Sequence, residues 1–264
     1  MTIATLDDLI AAPKQFIPFC RTASRTSVAF MPTSLIDLAG QPGAGTLAGT
    51  STTTGTVPTD ATAGFPTINA FGGGASGYIA ALTPMSSAIA RLRLYDCLWK
   101  AGAYAFNAST SGQTPTSYSS RVPGGTDYSG LEIWLEQVTA GTGVQNVNVT
   151  YTNEAGTTGH STGTIATATN IVGRMHRLPL QAGDSGVQGV TGVVGSTASA
   201  GTFNILVLRP LWTGRHGAAY TGENQDLFRM GMPEIFADSA LFAVSQPDST
   251  STGLVELFMC IANG

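Results

Sequence analysis

Short runs in which apolar and polar residues alternate recur along the chain from residue 91 onwards. In the clearest run, Val147-Asn148-Val149-Thr150-Tyr151-Thr152, the apolar side chains share one face and the Asn and Thr side chains the other. A two-residue period is typical of a half-buried β-strand. Further strands are predicted at residues 91–98, 131–136, 187–194, 203–208 and 254–261.

Two of these runs predict which side chains face a core. Leu92, Leu94 and Leu98 fall on one face of the strand at 91–98. In the run at 131–136, Leu, Ile and Leu at 131, 133 and 135 lie opposite Glu, Trp and Glu at 132, 134 and 136. After the strand at 147–152, the sequence Asn153-Glu154-Ala155-Gly156 predicts a turn, and the Thr-rich stretch at 161–169 can return as the hairpin partner.

This spacing of short strands and Gly-rich turns predicts an all-β fold, an antiparallel β-sandwich or jelly-roll-like body. The chain shows no alternation of strands and helices that would indicate an α/β fold. One short helix is predicted at the start, where Thr5 can cap a turn whose third residue is Asp8 and Pro13 limits the length. The predicted division is residues 1–77 for the helix and an extended arm or loop, and residues 78–264 for the sandwich body.

The predicted arm is the Gly/Thr-rich stretch from Gly40 to Gly77, which includes Gly72-Gly73-Gly74. It offers little apolar surface, and ordering it costs about 1–2 kcal/mol of backbone entropy per residue. We therefore expect it to order only by lying across something else. Its own sandwich and a neighbouring subunit could both provide that support, and we expect the stretch to lie against other chains in an assembled particle.

Charged residues make up 11% of the 264 residues, and Gly accounts for 33 of them. A surface with so few charges is typical of a subunit covered by its neighbours, which favours a homo-oligomeric assembly over the alternative, a monomeric Gly- and Thr-rich sandwich. The formal net charge of -4 provides no broad positive field. Nucleic acid and membrane surfaces are therefore not expected as partners.

Cys20, Cys97 and Cys260 are widely separated, and neither their number nor their spacing suggests a disulfide framework. We interpret them as small core residues of a protein made in a reducing cytoplasm. Asp7 and Asp8 stand where a secretory signal would carry positive charge, and no apolar run is long enough to span a membrane. These features predict a protein that is not exported by a cleaved signal.

Gly183-Asp184-Ser185-Gly186 matches part of the serine-protease motif, but a nucleophile also needs a base, a group that orients the base, and oxyanion donors. His160, His176 and His216 all lack the sequence context of a catalytic histidine. A β-turn in which Asp184 or Ser185 bonds to the main chain is the favoured interpretation. We expect no catalytic residue and no enzymatic activity.

No metal or cofactor site is predicted, because the histidines and cysteines occur singly and no phosphate-binding glycine motif is present. Two weaker candidates for binding remain. The cluster Arg174, His176 and Arg177 could hold an anionic group, although a solvated strand end is the simpler explanation. Trp99, Trp134 and Trp212 could stack on sugars, although single tryptophans in β domains are more often core or interface residues.

Several segments together resemble a family of structural proteins from tailed-bacteriophage virions, a resemblance that spans most of the chain. They are Leu6-Asp7-Asp8-Leu9-Ile10-Ala11-Ala12, Gly40-Gln41-Pro42-Gly43-Ala44-Gly45, Leu94-Tyr95-Asp96-Cys97-Leu98-Trp99, Val149-Thr150-Tyr151-Thr152-Asn153-Glu154-Ala155-Gly156, Leu180-Gln181-Ala182-Gly183-Asp184-Ser185-Gly186-Val187 and Gly201-Thr202-Phe203-Asn204-Ile205-Leu206-Val207-Leu208.

The resemblance implies a non-enzymatic virion component that is β-rich and present in many copies. We interpret the chain as a capsid decoration or cement subunit, assembled in the host cytoplasm, whose partners are other copies of itself and the major capsid protein. Its mechanism would be the sum of many equivalent modest contacts. The alternative is a host-binding adhesin or glycan-binding module, and a hydrolase that uses Ser185 is the remote third hypothesis.

Overall fold

The computed structural model describes residues 3–71, 76–111, 113–114, 116–167, 171–195 and 200–264. It is an all-β sandwich with few helices, as the sequence predicts, and every strand pairing among these residues is antiparallel. Its sixteen strands in the described residues are, in chain order, β1 Lys14–Arg21, β2 Thr33–Ser34, β3 Gly40–Gln41, β4 Gly77–Ser86, β5 Ala90–Ala105, β6 Ser109–Ser111, β7 Glu132–Thr139, β8 Gln145–Asn153, β9 His160–Ser161, β10 Ile165–Thr167, β11 Met175–Leu178, β12 Val187–Gly195, β13 Thr202–His216, β14 Glu234–Ile235, β15 Leu241–Pro247 and β16 Val255–Asn263.

The strands form three sheets. Sheet I has the order β14-β4-β16-β1-β3, sheet II the order β11-β7-β13-β5-β15-β2, and sheet III the order β10-β8-β12-β6 with β9 also paired to β8. The described residues contain two α-helices, α1, Leu6–Ala11, and α2, Leu227–Met230. Thr5 and Asp8 form the capping box at the start of α1 that the sequence predicts.

The strand predictions at 91–98, 131–136, 147–152, 187–194, 203–208 and 254–261 are confirmed, in β5, β7, β8, β12, β13 and β16. The Thr-rich stretch after the turn pairs with β8 in two pieces, β9 and β10, and residues 168–170 lie outside the described residues. Three long strands, β1, β4 and β15, lie outside the predicted segments. They complete sheet I and extend sheet II.

Two main cores lie on sheet II. Sheet I packs over one half of β5 and β13, in a cluster that includes Leu92, Leu94 and Leu211. Sheet III packs over the other half, in a cluster that includes Leu98 and Val207. The long strands β5 and β13 therefore hold both cores together, and burying this much apolar area is the main stabilising contribution to the fold.

A third cluster covers the opposite side of sheet II. Tyr95, Cys97 and Trp134 belong to it, together with Leu47 and Phe65 from the predicted arm. Because side chains alternate across a strand, Tyr95 and Cys97 project away from the face that carries Leu94 and Leu98. All of β5 in this region is thus buried on both faces.

The predicted arm packs on its own chain rather than standing away from it. Besides Leu47 and Phe65, its Ile68 and Phe71 join the core beneath sheet I. Thr56 forms a two-way backbone bridge with Lys100, at 2.8 and 2.9 Å, along the part of β5 that β15 leaves unpaired. The expectation that the arm is held by other chains is wrong for these residues, because its own sandwich provides these contacts. Its residues 72–75 lie outside the described residues.

Side chains of sheet II also hold the arm by hydrogen bonds. Asn204 donates to the carbonyl of Leu47 at 2.6 Å and accepts from the backbone of Gly49 at 2.8 Å. Glu136, completely buried, accepts from Asn204 at 2.7 Å and from Lys100 at 3.1 Å.

In sheet I, β1 lies between β16 and β3, so residues on both sides of the predicted boundary at 77 share one sheet.

Candidate functional site

The Gly183–Gly186 segment is a turn held by its neighbours. The backbone amides of Ser185 and Gly186 both donate to the carboxylate of Glu154, at 3.1 and 3.0 Å. Gly183 adopts φ +97°, which favours glycine, and at Gly186 a Cβ would meet the carbonyl oxygen of Tyr128 at 1.9 Å. Both glycines are therefore required by the backbone.

Asp184 is the centre of the polar contacts in this turn. Its carboxylate accepts from Tyr151 at 2.6 Å and Asn153 at 3.0 Å, and it lies 2.7 Å from Nδ1 of His160. Hydrogen bonds from Tyr151 and Asn153 lower the pKa of Asp184. No hydrogen bond joins Ser185 to His160 among the described residues. The geometry favours the turn over the hydrolase hypothesis, because the histidine near the motif serves Asp184 instead.

The other histidines stand apart from one another. His216 is buried, with Nε2 3.0 Å from the carbonyl oxygen of Ser86. Burial and the nearby Arg174 lower the pKa of His176 to about 4, so this imidazole is neutral at pH 7. In the part of the chain that the structure describes, no group of three or more His, Cys, Asp or Glu side chains could hold a metal ion. The three cysteines are free thiols.

All three tryptophans are core residues, and two of them also border a cleft. Trp99 is buried beneath sheet III, and its indole nitrogen donates to the carbonyl of Thr54 at 3.2 Å. Trp134 and Trp212 both line a cleft on sheet II, beside α2. Trp134 is 2% exposed and Trp212 9% exposed, so the structure favours the core interpretation of the tryptophans over the sugar-stacking hypothesis.

This cleft, which we call the arginine cleft, encloses about 510 Å³. A volume of this size lies within the range of small-molecule sites. Its lining combines basic, aromatic and aliphatic side chains from β5, β7, β11, β13 and α2: Arg91, Arg93, Tyr95, Glu132, Trp134, Arg177, Pro210, Leu211, Trp212, Thr213, Arg229 and Met230.

Two of these side chains are held rigidly. The Arg93 guanidinium donates to Gln246 at 2.8 Å and lies over the ring of Trp134, 5.7 Å from its centroid. The indole nitrogen of Trp134 donates to Glu132 at 2.8 Å. Burial and the charge of Glu132 raise the pKa of Tyr95 to about 12, so its hydroxyl remains a hydrogen-bond donor at neutral pH.

Two further arginines at the cleft are solvent-exposed and paired. Arg177 lies 3.2 Å from Glu132, and Arg229 lies 2.7 Å from Glu223. Their side chains are 60% and 58% exposed, so each ion pair contributes little to stability. These guanidiniums can turn towards a bound anion at small energetic cost.

Arg91 and Arg215 form an unusual cross-strand pair. They are directly opposite each other in the pairing of β5 with β13, and both are exposed. Arg91 lines the arginine cleft, and both residues line an adjoining pocket that also contains Asp248. Within the described residues neither guanidinium has a hydrogen bond or an ion pair. Like charges placed directly opposite destabilise a sheet, so the two charges do not stabilise this strand pairing.

The residues of the predicted anion-binding cluster, Arg174, His176 and Arg177, lie in different environments. Arg174 is buried, while Arg177 is exposed in the arginine cleft. Sequence reasoning did not identify Arg91, Arg93, Arg215 and Arg229 as part of a site. A signal was present in Arg91-Leu92-Arg93-Leu94, because a strand with its leucines in the core must place both arginines on the other face.

Comparison with known proteins gives little. No protein-family model matches the chain, and no curated protein matches it. Among solved structures, the crystal structure of the infectious bursal disease virus VP2 subviral particle aligns over 96% of this chain and 80% of that chain, with 10% sequence identity and a TM-score of 0.19. A TM-score this low does not establish a common fold.

Across the described residues, no helix is long and apolar enough to cross a membrane.

Proposed function

We propose that this chain is a non-enzymatic structural subunit of a virus particle, a decoration or cement protein that binds other copies of itself and the major capsid protein. The observation that carries the proposal is an apolar sheet face that the chain itself leaves uncovered. This face, the open face of sheet I, consists of Phe16, Pro18, Ala81, Phe258 and Cys260.

The open face is the outer side of the three strands at the middle of sheet I. Phe16 is 78% exposed and Phe258 is 44% exposed, whereas their inward neighbours Ile17, Leu257 and Met259 are buried in the core. Phe16 pairs with Cys260, and Pro18 with Phe258, so the exposed apolar side chains form a continuous patch across β1 and β16. Contiguous exposed apolar surface is typical of a protein interface.

Charge and sequence add support. Glu256 is the charged side chain of β16, and only 11% of all residues are charged, so few like charges oppose close packing of copies. The resemblance to structural proteins of tailed-phage virions points to the same role. Because the arm packs on its own chain, the open face, and not the arm, is the surface that we assign to contacts between subunits.

The test combines assembly with attachment. Purified protein is mixed with heads isolated from the virus that encodes it and lacking this chain, and binding is measured by co-sedimentation and by added density in electron micrographs. We expect the wild type to bind in many copies and F16D/F258D to lose most binding, since burying two charges in an apolar interface is costly.

The matched control is Val144→Asp, a change at an exposed apolar residue in the turn between β7 and β8, far from sheet I. It should bind as the wild type does. Failure of the wild type to bind heads or to self-associate would overturn the proposal, as would full binding by F16D/F258D.

A further inference from the structure

We propose that the arginine cleft is a binding site for an acidic carbohydrate, one whose carboxylate or sulfate group is held by the arginines while the rest of the sugar lies over the floor of the cleft. This inference goes beyond the structural role proposed above and does not depend on it. The open face belongs to β1, β4 and β16, whereas the cleft is built on sheet II and α2.

The distribution of exposed positive charge carries the first step. All twelve Lys and Arg residues fall in the described ranges, and the arginines of the exposed class are Arg91, Arg177, Arg215 and Arg229. All four line the arginine cleft or the pocket that adjoins it. A chain whose net charge is -4 therefore collects its exposed guanidiniums at a single place.

The local balance of charge is positive once the carboxylates are counted. With Arg93 the site has five arginines, against Glu132, Glu223 and Asp248, which leaves a formal charge of 5 - 3 = +2. Arg91 and Arg215 face each other with no carboxylate in contact. An oxyanion between them would relieve that repulsion and accept charge-assisted hydrogen bonds from both.

The floor of the cleft indicates what the anionic group is attached to. Trp212, Leu211 and Met230, which are 8–9% exposed, contribute apolar edges to the floor, while Trp134 is 2% exposed and lies beneath Arg93. The hydroxyls of Tyr95 and Thr213 add polar partners. A sugar ring offers C–H groups to the first set and hydroxyls to the second. The volume of about 510 Å³ suits one or two sugar units.

The same features disfavour nucleic acid. A strand of nucleic acid needs a positive groove along its backbone, whereas this chain, with a net charge of -4, gathers five arginines at the cleft and its adjoining pocket. Glu132 and Glu223 stand at the cleft and would repel successive phosphates.

The test is equilibrium binding of the full chain to four probes, measured by calorimetry: a sulfated heparin disaccharide, digalacturonate, the neutral disaccharide maltose, and a short single-stranded oligonucleotide. We expect binding to one or both acidic sugars that weakens with added salt, and no comparable binding to maltose. The sulfated and carboxylated probes decide which acidic group the cleft prefers.

The decisive variant is R91Q/R215Q, because both guanidiniums lack partners in the described structure and their removal should leave the melting temperature unchanged or raised. Loss of two charge-assisted contacts should weaken acidic-sugar binding at least about tenfold. The control Lys14→Gln removes an exposed cation whose ammonium caps the carbonyls of α1, away from the cleft, and should not change binding.

Four outcomes would overturn the inference: no binding to either acidic sugar, equal binding to maltose, binding to the oligonucleotide alone, or unchanged acidic-sugar binding in R91Q/R215Q. If the melting temperature of R91Q/R215Q is lower than that of the wild type, binding is measured in the single variant R91Q. This variant keeps Arg215 and should lose part of the affinity. Head attachment is measured separately, so failure of one proposal is distinguishable from failure of the other.

Discussion

Asp96 and Arg121 are both completely buried and form an ion pair where the two main cores of the molecule meet. Asp96 lies on β5 between Leu94, which belongs to the core under sheet I, and Leu98, which belongs to the core under sheet III. Its carboxylate also accepts from Ser239 at 2.8 Å and from Arg209 at 3.3 Å. One carboxylate thus balances two buried guanidiniums.

This arrangement predicts that Asp96→Asn is strongly destabilising. The change leaves two guanidiniums buried without a counter-charge, and breaking such a pair costs about 3–5 kcal/mol of unfolding free energy. Urea unfolding followed by circular dichroism measures the loss. The matched control Glu223→Gln removes an exposed partner of Arg229 and should cost at most about 1 kcal/mol. Similar losses in the two variants would contradict the prediction.

The contacts of Asn204 predict that the arm is protected in the isolated protein. Its amide holds Leu47, Gly49 and Glu136 together, so Asn204→Ala removes three hydrogen bonds and opens a gap beneath the arm. Limited proteolysis should spare residues 45–58 in the wild type and cut there in the variant. Asn107→Ala, at an exposed turn, is the control and should behave as the wild type does. Rapid cleavage of the wild-type arm would show that these contacts do not hold it.

The environment of His176 predicts a loss of stability in mild acid. The pKa of His176 is about 4 in the folded protein, below its usual value of about 6.5, so the unfolded chain binds more protons between those pH values. Stability is therefore complete above pH 6.5 and falls as the pH drops towards 4, by about 2 kcal/mol at pH 5. His176→Phe should remove this part of the pH dependence. The measurement is unfolding free energy at pH 7 and pH 5, and equal slopes in variant and wild type would exclude His176 as the cause.

The structure of the turn at Gly183–Gly186 predicts that three substitutions in it destabilise the protein to different degrees. Ser185→Ala should change the melting temperature little, because the contacts that hold the turn to Glu154 come from backbone amides. Gly183→Val should destabilise through its φ of +97°, and Gly186→Val more severely, because its Cβ would overlap the carbonyl of Tyr128. Soluble yield and melting temperature give the order, and a strong effect of Ser185→Ala would reopen the question of its role.

The strands that could be predicted from the sequence are those in which apolar and polar residues alternate within the strand itself. β8 alternates buried and half-buried residues throughout, and its period could be read without any knowledge of its partners. β1 and β4 gave no such signal, since Pro18 and Pro84 interrupt them and proline is normally unfavourable within a sheet. They become strands because β16 lies between them and pairs with both.

Only the tertiary structure determines where the arm packs and which residues form the arginine cleft. The sequence predicts that the Gly40–Gly77 stretch needs outside contacts, but Lys100 and Asn204, which hold it, are distant along the chain. The arginine cleft likewise forms because β13 places Arg215 opposite Arg91. The alternation of apolar and polar residues within one strand depends only on residues close in sequence, so it can be recognised from the sequence. Pairing of distant strands depends on burial summed over the whole chain, so only the folded structure brings these residues together.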